Sequence, residues 1–160
     1  MRIAVISDTH MPRGQRRLPD ACLRELDRAD FIFHAGDFTA PEVLDELLRL
    51  APVEAVHGNM DDAELCALLP ERHVVDIAGH RVGMIHDPGQ RTGRAARLAA
   101  LFPGCELVIY GHTHLPELTL DGPVGLLNPG SPTERRRARS HSMAVIRVDE
   151  GRFDTNICSL

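Results

Sequence analysis

The sequence predicts an α/β fold: two stacked β-sheets flanked by helices, in one domain covering residues 1–160. Two patterns carry that expectation. In the first half, short apolar runs alternate with stretches of helical periodicity, as in successive βα units. From residue 72 onward the apolar runs come close together across turn residues, which reads as hairpins. A chain of 160 residues with 43% hydrophobic content can enclose one sizeable core.

Residues 2–7 read as a buried first strand. The apolar run stops at Ser7, Asp8 and His10, too early for a secretory leader. Residues 18–29 place Leu23, Leu26 and Ala29 at helical spacing, with Pro19 and Asp20 near the start. Residues 31–35 form a second strand. Thr39 and Glu42 fit a capping box around Pro41, and Leu44, Leu47 and Leu48 follow on one helix face. Residues 53–57 give a third strand, and Asp61 or Asp62 caps a short helix to Leu69. Then come strands at 73–78 and 81–86 around Gly79-His80, a helix over 92–101, and a strand at 107–110. The last strands are expected at 124–128, 143–149 and 152–158, with a tight turn at Glu150-Gly151.

Composition excludes several functions. No apolar run reaches the roughly 18–20 residues of a membrane span, so no membrane partner is expected. The net charge of −5 argues against bulk nucleic-acid binding. All 18 basic residues other than histidine are Arg. The four cysteines, Cys22, Cys66, Cys105 and Cys158, form no C-x-x-C pair and read as free thiols in a reducing cytoplasm.

The strand ends carry the chemistry. They read Ser7-Asp8-Thr9-His10, His34-Ala35-Gly36-Asp37, His57-Gly58-Asn59-Met60-Asp61, Ile85-His86-Asp87 and Gly111-His112-Thr113-His114. The carboxyl ends of strands in an α/β sheet share one edge, where ligands bind. Asp8 with His10, and His112 with His114, are two residues apart and would project together from extended backbone. Gly36, Gly58 and Gly111 adjoin these residues and allow close backbone approach.

Mixed oxygen and imidazole donors suit Mn²⁺, Fe²⁺, Zn²⁺, Co²⁺ or Ni²⁺ better than Ca²⁺ or Mg²⁺, and the lack of cysteine argues against a structural zinc. Asp8, His10, Asp37, Asn59, His86, His112 and His114 are too many for one ion and suit two that share a carboxylate. Such a pair lowers the pKa of a bound water and stabilises the attacking and leaving oxygens of an in-line displacement. That is the chemistry of phosphate-ester hydrolysis.

Asp8-Thr9-His10, Gly36-Asp37, Gly58-Asn59, His86 and Gly111-His112-Thr113-His114, in this order, resemble the calcineurin-like metallophosphoesterase superfamily. Gly58-Asn59-Met60-Asp61 and Asn128-Pro129-Gly130-Ser131 resemble its small bacterial and archaeal phosphodiesterase branch. The resemblance implies a four-layer αββα sandwich with two mixed sheets. It implies two divalent ions, manganese first, with nickel, iron, zinc or cobalt as alternatives. One would be held by Asp8, His10 and His114, the other by Asn59, His86 and His112. Asp37 would bridge them together with a nucleophilic hydroxide. Asp37, Asn59 and His112 are the catalytic residues it implies. Met60 stands where many members carry a His that assists the leaving group, and Asp87 stands where Gly is usual. His57 is the substitute proton donor nearest in sequence.

The expected activity is that of a cytoplasmic phosphodiesterase acting on a small phosphate ester; self-association is left open. Its neighbours are a phosphomonoesterase and, from another class, a non-catalytic interaction scaffold on the same fold. Other polar residues have plainer readings: Asp61 as a helix cap, His34 as a hydrogen-bonded core histidine, and His73, His80 and His141 as surface or turn residues. Asn128 and Ser131 read as turn residues and Arg135 to Arg139 as a solvated face. Arg91 or Arg94 would meet a substrate phosphate only if residues 88–97 form a substrate-side loop.

Overall fold

Strand β1 (Arg2–Ile6) lies at the centre of a five-stranded sheet in the computed structural model, which describes residues 1–149 and 151–160. Ile3 to Ile6 are apolar on both faces because both faces are covered. Ile3 and Val5 join a buried cluster between two sheets, while Ala4 and Ile6 join a second cluster on the outer side. Parallel strands β2 (Phe31–His34) and β3 (Val53–Ala55) extend the sheet on one side of β1. On the other side, β9 (Ser142–Asp149) and β10 (Arg152–Ser159) pair antiparallel. The tight turn expected at Glu150-Gly151 involves Glu150, which lies outside the described residues.

The second sheet has the order β4 (Arg72–Ile77), β5 (His80–Ile85), β6 (Leu107–Ile109), β8 (Gly125–Asn128), β7 (Glu117–Thr119). Strands β5, β6 and β8 are parallel; β4 and β7 are antiparallel edges. Each sheet is therefore mixed, as expected. Strand β7 is an element the sequence patterns do not announce. The hairpin turn falls one residue earlier than expected: Ala78 and Gly79 take φ of 50° and 86°, and His80 already pairs with Ile77. Two left-handed central residues make the primed turn that matches strand twist.

Helices α1 (Asp20–Asp27), α2 (Pro41–Leu48) and α3 (Ala63–Leu68) bury Cys22, Leu26, Val43, Leu47 and Leu65 against the outer face of the first sheet. Helix α4 (Arg94–Leu101) buries Leu98 with Phe102, Val108, Tyr110 and Leu126 on the outer face of the second. Three apolar layers thus separate four layers of secondary structure, the αββα sandwich that was expected.

The capping box does not form. Ala40 occupies the N-cap of α2. Thr39 has φ of 83°, and its hydroxyl donates to the Met11 carbonyl at 2.6 Å. Asp62 caps α3, accepting from the Leu65 N–H at 2.9 Å. Arg94 is buried with Tyr110 and Glu117, its guanidinium 3.1 Å from the Tyr110 hydroxyl and 3.2 Å from Glu117 Oε2. Burial, reinforced by Glu117, pushes the Tyr110 phenol well above its usual value.

Candidate metal centre

The parallel strands of both sheets end at one rim. Asp8 and His10 follow β1, Asp37 follows β2 and Asn59 follows β3; His86 follows β5, and His112 and His114 follow β6. All seven residues expected from the sequence meet there. His10 Nε2 lies 3.2 Å from His114 Nε2. His114 Nε2 lies 3.3 Å from Asp8 Oδ1. On the other side, His10 Nε2 lies 3.6 Å from Asp37 Oδ2, which is 3.3 Å from His86 Nε2. Two triads overlap at Asp8: Asp8, His10 and His114, and Asp8, Asp37 and His86, each with donor atoms within 4.8 Å of one another and every member buried. Donors held about 2.0–2.2 Å from one ion lie at comparable mutual spacings. Asn59 and His112 form the more exposed rim, with Asn59 Oδ1 2.9 Å from His112 Nδ1. The His112 ring meets His86 edge-on at 5.3 Å, and the His112 backbone N–H donates to both Asp8 oxygens at 3.1 Å.

Convergence is achieved by the backbone in a way the strand pleat does not explain. Asp8, His10, Asp37, His112 and His114 all take left-handed φ, between 45° and 67°. The pairs two residues apart therefore meet through left-handed turns beyond the strands. For non-glycine residues such conformations cost on the order of 1–3 kcal/mol each, and they persist only where neighbours enforce them.

The enforcing contacts are polar and specific. Ser131 Oγ donates to the Asp8 carbonyl at 2.8 Å, and Thr133 Oγ1 to the Thr9 carbonyl at 2.6 Å. Asn128 Nδ2 donates to the Gly111 carbonyl at 2.9 Å. Asn128 and Ser131 are turn residues that also brace the rim. Asp61 is not a helix cap: its carboxylate accepts from the N–H groups of Asp37 at 3.0 Å, Gly58 at 2.7 Å and Thr39 at 2.7 Å. Burial, which those three donors oppose, leaves its pKa raised. Two glycines are sterically required: a Cβ on Gly58 would overlap Asp37 Oδ1, and one on Gly111 would overlap Ser7 Oγ.

The imidazoles are set up to accept a cation. His86 Nδ1 donates to the Ala35 carbonyl at 2.7 Å, and His114 Nδ1 to the Glu134 carbonyl at 2.6 Å. Each hydrogen bond fixes the tautomer and turns an Nε2 lone pair inward, as in the supporting shell of metal sites. His86 Nε2 is buried and has no hydrogen-bond partner among the described residues. Burial pulls the His10 pKa down, against the pull of Asp37 and Asp8. Burial would raise Asp37, but the His86 ring 3.3 Å away and the Met60 N–H outweigh it, and the net direction is down. His86 moves up for the reciprocal reason: Asp37 and Asp8 overcome its burial. Buried carboxylates facing inward lone pairs fit divalent ions; the donor set is oxygen and nitrogen throughout.

Several residues lie outside the cluster. His34 is the expected core histidine: its ring bonds Thr9 Oγ1 at 3.2 Å and the Gly36 N–H at 3.1 Å, and burial holds its pKa well below the usual range. Met60 contributes its N–H to Asp37 Oδ1 at 2.8 Å. Asp87 is exposed and accepts from the Gly89 N–H at 2.8 Å, lining a cavity of about 200 Å³ with His57, Asn59 and His86. Arg94 is committed to Tyr110 and Glu117, so it does not face the rim. In the basic run Arg135, Arg136, Arg137 and Arg139 are exposed, and Arg136 reaches the His112 carbonyl at 3.4 Å. Glu134 is a feature that sequence reasoning missed: its Oε2 lies 3.8 Å from His10 Nε2.

An oxygen-and-imidazole cluster at the carboxyl edge of an αββα sandwich defines a metallohydrolase type of architecture. Residues 1–151 match the calcineurin-like phosphoesterase superfamily domain, and the chain belongs to that superfamily. A probable metallophosphoesterase of Methanothermobacter thermautotrophicus is 40% identical, over 98% of this chain and 91% of its own. Phosphodiesterase MJ0936 of Methanocaldococcus jannaschii is 28% identical, over 81% of this chain and 83% of its own. Among solved structures, Thermotoga maritima protein TM1076 superposes with a TM-score of 0.80 at 32% identity, covering 99% of both chains. Vps29 of Entamoeba histolytica, solved with Zn²⁺, superposes with a TM-score of 0.78 at 24% identity over 99% of both chains, a likeness of fold.

Proposed function

We propose that this chain is a metal-dependent phosphodiesterase acting on small phosphate diesters. The carrying observation is the pair of buried donor triads that share Asp8, with His86 Nε2, which has no hydrogen-bond partner among the described residues, aimed into one of them. Asp8, His10 and His114 would hold one divalent ion, and Asn59, His86 and His112 the other. Asp37 stands between His10 and His86 and would be the carboxylate shared by the two ions. Two ions so held supply Lewis-acid stabilisation of charge in an in-line displacement and an acidified water. The chain's part is to fix the donors. The Ala35 and Glu134 carbonyls lock two imidazole tautomers, and the Met60 N–H orients Asp37. Met60 transfers no proton, which favours diesters with good leaving groups. The mixed donors favour manganese, then nickel, iron, zinc or cobalt. The similarity to Phosphodiesterase MJ0936 supports the choice of a diester, and four free cysteines fit a reducing cytoplasm.

The test is hydrolysis of bis(p-nitrophenyl) phosphate with added Mn²⁺ or Ni²⁺, in wild type and Asp37→Asn. Outer-shell changes at metal sites typically cost 10- to 100-fold, so loss of the bridging carboxylate is expected to cost at least about 100-fold. Absence of metal-dependent turnover, or equal turnover in the variant, overturns the proposal. The ratio of diester to monoester activity separates a phosphomonoesterase. A scaffold role is favoured by Met60 and Asp87 and by the shared fold of Vps29; protein without bound metal that co-purifies with a stable partner would establish it.

A further inference from the structure

Three carboxylates crowd His10 Nε2: Asp37 Oδ2 at 3.6 Å, Glu134 Oε2 at 3.8 Å and Asp8 Oδ1 at 3.9 Å. Asp8 and Asp37 have a role as donors, and Glu134 has none so far. Two donors each about 2.2 Å from one ion lie at most about 4.4 Å apart, so Glu134 stands within the range of a shared ion with His10. Its two oxygens are used differently. Oε1 pairs with the Arg16 guanidinium at 3.0 Å, while Oε2 faces His10, with Arg136 Nε beyond hydrogen-bond reach at 4.0 Å. Asp37 is built the same way: Oδ1 accepts from the Met60 N–H at 2.8 Å, and Oδ2 faces His10 and His86. A carboxylate with one oxygen anchored and the other turned toward imidazole nitrogens is the form of a supported metal ligand.

The main chain of Glu134 is fixed to the same place. Its N–H donates to Ser131 Oγ at 2.9 Å, and Ser131 Oγ holds the Asp8 carbonyl. Its own carbonyl accepts from His114 Nδ1 at 2.6 Å. Residue 134 is thus tied through its backbone to Asp8 and His114, and its side chain faces His10, the third member of that triad. A surface ion pair with Arg16 requires none of this. The Glu134 side chain is 29% exposed, whereas those of Asp8, His10 and His114 are at most 2% exposed, so it lies on the open side of the triad. We infer that Glu134 is a further metal ligand: Oε2 is drawn onto the ion held by Asp8, His10 and His114, while Oε1 stays on Arg16. The inference rests on the two-ion centre of the phosphodiesterase reading and extends its ligand set. Counting the shared Asp37, that ion meets three carboxylates and two imidazoles, an oxygen-rich and anionic set that suits manganese.

Two measurements on the full chain test it, and neither depends on turnover. The first is calorimetric titration of Mn²⁺ into metal-free protein. Glu134→Ala and Glu134→Gln should each weaken binding by about tenfold or more, at least what a supporting group of a metal site contributes. Arg16→Gln, which keeps the carboxylate and removes its ion pair, should cost less than about fivefold, the reach of a partly exposed pair. The second is the visible ligand-field spectrum of the Co²⁺-loaded protein, which responds to the number and kind of donors. It should change in Glu134→Ala and stay as in wild type in Arg16→Gln. Far-UV dichroism checks that each variant is folded. Mn²⁺ affinity indifferent to both Glu134 variants would overturn the assignment. So would weaker binding in Glu134→Ala with an unaltered Co²⁺ spectrum, which marks an effect of charge at a distance. Either result leaves the phosphodiesterase reading standing if wild type still binds metal and cleaves a diester. Wild type that takes up neither Mn²⁺ nor Co²⁺ overturns both.

Discussion

Asp61 is the residue whose replacement should be most revealing, because one carboxylate holds three backbone N–H groups on two rim loops. In Asp61→Asn an amide must replace one oxygen. The better orientation keeps oxygen toward Asp37 and Gly58, the two donors that share Oδ2, and turns NH₂ against the Thr39 N–H. One charge-assisted bond is lost, worth about 1.5–3 kcal/mol, and the other two fall from charged to neutral strength at about 1 kcal/mol each. Against this, burial already disfavours the Asp61 charge, and removing it returns a fraction of that loss. The net expectation is a destabilisation of about 2–4 kcal/mol. Urea unfolding in the presence of chelator measures it without any metal contribution. Because Asp37 and Gly58 shift with the loops, Mn²⁺ affinity by calorimetry should fall about 10- to 100-fold. Asp62→Asn is the matched control. It touches only the Leu65 N–H at the start of α3, and Asn caps as well as Asp, so little change is expected there. If Asp61→Asn unfolded within about 0.5 kcal/mol of wild type and kept its metal affinity, the idea that this carboxylate holds the rim would be wrong.

Gly111→Ala should destabilise by about 3 kcal/mol or more, the upper end of overpacking, because its Cβ would overlap Ser7 Oγ and come within 2.8 Å of Asp8 Oδ2; thermal unfolding and Mn²⁺ titration should fall together. Tyr110 is the sole tyrosine, and its phenol is pushed above the unfolded value of 10.0 by burial and Glu117. Its contribution to stability is complete below that value and declines as pH rises past it, so tyrosinate absorbance should appear in step with loss of far-UV dichroism; a separate earlier transition would contradict its burial. Burial pushes the Cys22 thiol up to about 12, whereas Cys66 is exposed. A disulfide reagent should therefore label Cys66 in native protein and Cys22 only under denaturant, as mass spectrometry of the peptides would show.

Strands β1 and β2 are legible because buried parallel strands need continuous apolar runs, and each is bounded by polar turn residues. Strand β7 is not, since Glu117–Thr119 offers a single apolar residue, Leu118, and owes its pairing to β8. The ligand set is legible because chemistry restricts the side chains at strand ends to a few types. What local pattern hides is the backbone that aims them. Thr39 sits in a plausible capping box, yet its left-handed φ and its bond to Met11 are dictated by contacts 28 residues away in sequence. Asp61 and Asp62 look interchangeable as caps; only the approach of the β2 and β3 loops sends one to the rim and the other to the helix. Whether Arg94 meets a phosphate is likewise open in the sequence until α4 packs it against Tyr110.

The rim is stitched from both halves of the sandwich: Asp8, His10, Asp37 and Asn59 arrive from one sheet, His86, His112 and His114 from the other. A cation gripping Asp8 and His114, or Asp37 and His86, would act as a rivet through the seam. Its binding energy would be spent partly on keeping the layers docked, so chelation should loosen the stacking of the layers before it disturbs the pairing within either.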